Sequence, residues 1–130
     1  METIRADIQR LDALTEVVIG CAFNVLNTLG AGFLEKVYEN ALIMDLRQAG
    51  CLAEQQFGIA VCYGGRVVGA YFADVLVERM LLVEIKTVRT LDATHVAQCV
   101  NYLKGTGLRL CLLLNFGNAR LEIRRVANGL

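Results

Sequence analysis

From Val75 to Ile85 the chain carries apolar side chains at every position except Glu84 and the turn residues Glu78 and Arg79. Two strands that are apolar on both faces cannot lie on a solvated surface. They belong in the middle of a sheet covered by helices on each side. Into this hairpin are set three charges, Asp74, Glu84 and Lys86. Glu84 and Lys86 are two apart, so their side chains leave the same face. A two-residue turn would put Asp74 on the opposite face from Glu84. A three-residue turn, Glu78 to Met80, pairs Val77 with Leu81 and sets Asp74 directly across from Glu84. Leu76 and Leu82 then share the face of the acids, and Val75, Val77, Leu81, Val83 and Ile85 share the other. The expectation is the three-residue turn, or a bulge of equal effect.

The remaining elements follow from period and punctuation. Leu11, Leu14, Val18, Ala22, Val25 and Leu29 have helical spacing, which predicts a helix over about 11–29, broken by Gly30-Ala31-Gly32. A second helix is expected over about 33–49, with Gly50 as its stop. Gln56–Tyr63, Arg66–Val77 and Leu81–Thr87 read as strands, with Gly64-Gly65 turning the first into the second. A third helix fits Ala93–Lys104, capped by Thr90 or Asp92 and stopped at Gly105. Arg109–Phe116 reads as a strand covered on both faces, and Asn118–Val126 as a last one. The expected fold class is α/β: a mixed central sheet, formed by a three-strand meander plus further strands, flanked by helices in one domain over 1–130.

Composition narrows the function classes. A chain of 130 residues that is 55% hydrophobic, with 13 basic and 13 acidic side chains, is neither disordered nor a basic coat for nucleic acid. The balance is uneven along the chain: residues 1–60 hold four basic and eight acidic groups, residues 61–130 nine and five. Five scattered cysteines without a C-x-x-C pair read as reduced, core-filling thiols in a cytoplasmic protein, and one histidine excludes a structural zinc site. Residues 1–7 are polar and mixed in charge, unlike a signal peptide. The apolar run Val17–Leu26 is too short to span a bilayer, so no membrane association is expected.

Two carboxylates opposed at roughly 5 Å repel, and burying either unpaired is costly. One resolution is an ion pair of Lys86 with one acid while the other reaches solvent. The other is a divalent cation: Mg²⁺ takes one or two carboxylates, retains waters and suits phosphate substrates. A lysine beside it can hold the attacking water.

Asp74 followed ten residues later by Glu84-Ile85-Lys86 resembles the signature of the PD-(D/E)XK nuclease superfamily. Gly32-Phe33-Leu34-Glu35-Lys36-Val37-Tyr38 is similar to the motif that names its GxxExxY family. Val18-Ile19-Gly20, Ala97-Gln98 to Tyr102-Leu103-Lys104, and Leu113-Leu114-Asn115-Phe116 resemble that family in order and spacing, over about residues 14–127. The resemblance implies a restriction-endonuclease-like core. It also implies metal ligation by Asp74, Glu84 and the Ile85 carbonyl, with Glu35 completing the site, and catalysis by Lys86 together with the two acids. Gln98, Tyr102 and Tyr38 would line the substrate. By their residues alone, Glu35 suits a helix N-terminus, and His95, Gln98 and Tyr102 suit a solvated helix face, with His95 a bystander. The chain departs from the family at Leu26, in place of a histidine, and at Phe72, in place of an arginine. Both departures spare the metal core and remove candidate phosphate contacts.

The function expected from this likeness is a nuclease dependent on Mg²⁺ or Mn²⁺, acting on DNA rather than RNA by family habit. An alternative is a nuclease-like module that no longer cuts and serves nucleic-acid binding or protein interaction. A third reading is a homo-oligomer whose apolar surface is covered at a subunit interface.

Overall fold

The computed structural model describes residues 2–128. Its elements are α1 (Glu2–Leu29), α2 (Glu35–Gln48), β1 (Ala53–Tyr63), β2 (Arg66–Val77), β3 (Leu81–Lys86), α3 (Ala93–Thr106), β4 (Leu110–Asn115) and β5 (Glu122–Ala127). The strands form one sheet in the order β1-β2-β3-β4-β5, antiparallel except for the parallel pair β3–β4, which α3 connects. This is the expected mixed sheet flanked by helices. The inferred register is present: Val77 faces Leu81 and Val75 faces Val83 across a three-residue turn. Glu78 and Arg79 there take φ of 52° and 56°, uncommon for residues with a Cβ. The turn is held from outside, by Leu52 N–H donating to Glu78 Oε2 at 2.5 Å and by Arg79 gripping both oxygens of Glu54 at 2.9 Å.

Each sheet face has its own core. Val75, Val77, Leu81, Val83 and Ile85 pack under α1 and α2, against Val18, Leu42, Leu46 and their neighbours. Leu76 and Leu82 pack under α3, against Cys99 and Leu103. β4 is buried along its whole length, because both layers cover it.

Several boundaries move. α1 begins at Glu2 rather than near Leu11. Its first residues are mostly exposed and so show no apolar period, yet nothing among them breaks a helix. By length and composition Thr3–Leu29 could cross a membrane; here Leu11, Leu14, Val18, Ala22, Val25 and Leu26 bury in the core instead. α2 ends as expected: Gly50 N–H donates to Arg47 O and Cys51 N–H to Leu46 O, a Schellman closure with Gly50 at φ 88°. α3 is capped by Asp92 but runs past Gly105 and stops at Gly107, φ 72°. Gly105 lies within the helix, and a Cβ there would stand 2.6 Å from Ile59 Cγ2, so the glycine permits close approach to β1. The thiols are less uniform than expected. Cys99 and Cys111 are buried, Cys21 and Cys51 partly so, and Cys62 is exposed, because it lies on the part of the β1–β2 hairpin that runs beyond the helices.

Candidate active site

The β2–β3 ladder ends at Val75–Val83. One residue further on, side chains replace backbone partners. Asp74 N–H donates to Glu84 Oε1 at 3.2 Å, and Ile85 N–H donates to Asp74 Oδ2 at 2.7 Å. The two strands part here, and the carboxylates occupy the gap. Lys86 Nζ lies 3.5 Å from Glu84 Oε2, and its side chain is 17% exposed.

Burial dominates the electrostatics. Glu84 is 4% exposed. Burial first, and the neighbouring Asp74 charge second, push its pKa up from 4.5 to about 8. Burial also raises Asp74, against the opposing pull of the Ile85 N–H. Neither acid is comfortable as an anion without a cation beside it.

The donor set fits a hard divalent cation. It is made of carboxylate oxygens, each with a second lone-pair direction free of the contacts above. Among the described residues, no group of three or more His, Cys, Asp or Glu side chains converges to hold a metal ion. The acids that stand together in the gap, and that could hold a cation, are Asp74 and Glu84. Glu35, expected as a third acid, opens α2 as an exposed residue. Partial burial and the Asp74 charge raise its pKa, so it stands near the pair without joining it in one cluster.

On the α3 side, Tyr102 is 2% exposed. Its hydroxyl lies 3.2 Å from Phe72 O and 3.4 Å from Glu84 Oε2, and accepts from Gln98 Nε2 at 2.8 Å. Burial and Glu84 raise its pKa, so it stays a neutral donor. A buried tyrosine in this position supports Glu84 from the α3 side of the acids. Gln98 is half-buried one turn away. His95 belongs to the helix cap: Asp92 N–H donates to its Nδ1 at 3.0 Å while Asp92 Oδ1 accepts from Thr94 and His95 N–H groups.

Tyr38, also expected to line the substrate, lies in the core between α1, α2 and the sheet. It is fully buried, its ring stacks on Phe116 at 4.9 Å, and its hydroxyl donates to Gly30 O at 2.6 Å while accepting from Phe33 N–H at 3.1 Å. It locks the α1–α2 loop, where Gly30 and Gly32 take φ of 74° and 113°. The glycine-to-tyrosine motif thus sets where α2 starts, and with it the acids of α2.

Two contributors, Glu39 and Gln56, had no signal in the sequence, and a third, Asn115, had only its place in a stretch that resembles the family. Glu39, one turn beyond Glu35, is 3% exposed and accepts from Lys36, Gln55 and Gln56. Gln56 also donates to Asp74 Oδ1 at 3.3 Å. A polar pair at a strand start looks like solvated surface, and nothing local announces a partner on another element. Asn115 is fully buried at the end of β4, beside Lys86 in register. Its side chain accepts from Val88 N–H at 3.0 Å and donates to Val88 O at 2.9 Å. A Cβ on Gly117 would collide with the Val88 backbone. Together they clamp the segment that leaves β3 directly after Lys86. Phe72, at the position of the missing arginine, is 57% exposed and rests against Gly58 across the hairpin.

The sequence profile described as the PD-(D/E)XK nuclease superfamily matches residues 12–126. No curated protein matches the chain. Among solved structures, the fold is similar to that of SSO0001, with a TM-score of 0.58 and 20% identity over 73% of this chain. The chain spans half the length of that protein. An alkaline exonuclease, LHK-Exo from Laribacter hongkongensis, aligns at a TM-score of 0.41 and 14% identity, over 82% of this chain and 76% of its own.

Proposed function

The chain belongs to the PD-(D/E)XK nuclease superfamily, and from that premise we propose that it hydrolyses phosphodiester bonds of DNA, with Mg²⁺ or Mn²⁺ held by Asp74, Glu84 and the carbonyl of Ile85. The observation that carries this reading is the gap between β2 and β3, where the buried Glu84 and the half-buried Asp74, both with raised pKa values, face each other and a lysine stands 3.5 Å from Glu84. Purely structural acids at such a place would be replaced by apolar neighbours at little cost.

A bound divalent cation supplies charge neutralisation of the phosphate and an acidified water. The chain's own residues do the rest. Lys86 orients the attacking water and offsets the charge that develops on phosphate oxygens. Tyr102 and Gln98 hold Glu84 against α3, and Glu35 adds negative charge at the rim. The Gly32-to-Tyr38 motif supports assignment to the GxxExxY branch. Free thiols, two of them buried, suit a reducing cytoplasm.

The test is cleavage of single- and double-stranded DNA, and of RNA, by the purified chain with Mg²⁺ or Mn²⁺. Wild type is expected to cut DNA, and Lys86→Ala to lose at least about 100-fold in rate. Equal activity in the two proteins would overturn the catalytic assignment. Salt-sensitive DNA binding without any metal-dependent cleavage would favour an inactive binding module.

A further inference from the structure

We propose that Gln56 is a positioning residue that holds the Asp74 carboxylate in the orientation a divalent cation requires, with Glu39 as its anchor on α2. This rests on the reading of Asp74 and Glu84 as a cation site.

The first observation is backbone strain. Gln56 sits inside β1 with φ of 52°, a left-handed conformation that a residue with a Cβ seldom takes and that glycine adopts freely. No extra residue explains it. The partners on either side, Gln55 with Val75 and Phe57 with Ala73, keep one register. What changes is the direction of the side chains. Ala53, Val75 and Val77 pack under α1 and α2, whereas Phe57, Ile59 and Ala73, also odd-numbered, pack under α3. The hairpin rotates at Gln56 and Asp74, and both residues leave the ladder.

The second observation is what the rotated side chain touches. Nε2 of Gln56 spends both of its hydrogens on carboxylates, at 3.0 Å to Glu39 Oε1 and 3.3 Å to Asp74 Oδ1. The reversed amide would present an oxygen to two acids, so the hydrogen-bond chemistry admits one orientation. Glu39 is a fixed anchor. Its Oε2 already accepts from Lys36 at 3.0 Å and Gln55 at 2.8 Å, which leaves Oε1 for Gln56. Asp74 is then held from two sides, Oδ2 by the Ile85 N–H of β3 and Oδ1 by Gln56 of β1. Two anchors on different strands fix the plane of the carboxylate; one would leave it free to turn. Groups that orient a metal ligand in this way typically change metal affinity about 10–100-fold when removed.

The test is calorimetric titration with Mn²⁺ alongside thermal unfolding, for wild type, Gln56→Gly and Gln56→Met. Glycine relieves the strained φ and removes both donors; methionine keeps the bulk and removes the donors. Gln56→Gly is expected to melt no lower than wild type yet bind Mn²⁺ about 10–100-fold more weakly, and Gln56→Met to show a similar loss. A merely structural glutamine predicts the reverse, a lowered melting temperature with unchanged affinity. Variants that bind Mn²⁺ within about twofold of wild type would overturn the proposal and leave the cation site standing. Absence of Mn²⁺ binding by wild type itself would overturn the cation site, and the positioning role with it.

Discussion

Glu84 concentrates the chemistry in one side chain. Folded, it keeps a proton up to about pH 8; unfolded, it loses that proton near its ordinary value of 4.5. The folded chain therefore binds more protons across that window, and stability falls as pH rises through it. The contribution is complete below the unfolded value and gone above the folded one. Asp74 shifts in the same direction and adds to the slope. Denaturant melts between about pH 5 and 8 should show the metal-free protein losing stability, and Glu84→Gln should flatten the profile while abolishing cation binding. An unchanged slope in Glu84→Gln would show that Glu84 is not the titrating group. At this scale the sequence was informative. That Asp74 and Glu84 come together followed from the odd–even pattern of Val75 to Ile85 and a three-residue turn, although they meet through a side chain and not as a ladder pair. Glu39 and Gln56 did not, because a side chain's partner on another element leaves no local trace.

Among the elements, β4 and the segment after β3 act as one unit. Asn115 replaces the backbone partners that Val88 lacks, and Gly117 leaves room for it. Asn115→Ala should strand buried polar groups and cost about 2–3 kcal/mol, read by chemical denaturation. Gly117→Ala should be destabilising by about 1–3 kcal/mol, because the Val88 backbone must shift. Both should slow cleavage by displacing Lys86 even where the protein remains folded. The opposite holds for the start of α1. Removing residues 1–8, whose described members are mostly exposed, should change stability by less than about 1 kcal/mol. The helix boundary near Leu11 was misplaced for the same reason: periodicity reports burial, and an exposed helical turn has none. Gly105 misled differently, since a glycine can end a helix or let it approach a strand, and only the packing partner distinguishes the two.

For the molecule as a whole, the sheet brings an acid pair, one member buried and one half-buried, to the place where two of its strands separate, between the layers of α2 and α3. A cation bound only by the folded state raises its stability by mass action. Millimolar Mg²⁺ should raise the melting temperature more at about pH 8 than at about pH 6, where the proton on Glu84 competes, and Asp74→Asn should remove the effect. A pH-independent rise that survives in Asp74→Asn would place the ion elsewhere.

What the sequence by itself determined is the set of relations that depend on period and spacing: the sandwich of helices about a sheet, the register of the central hairpin as far as Val75, and the two-residue spacing of Glu84 and Lys86. Backbone geometry imposes these locally, so they can be read in one dimension. Only the tertiary structure decided which side chains support the acids. It placed Tyr102 behind Glu84, turned Tyr38 into a loop lock, and linked Gln56 to Glu39 and Asp74. Those contacts join residues 8 to 18 positions apart on different elements, and their geometry exists only once the layers have packed.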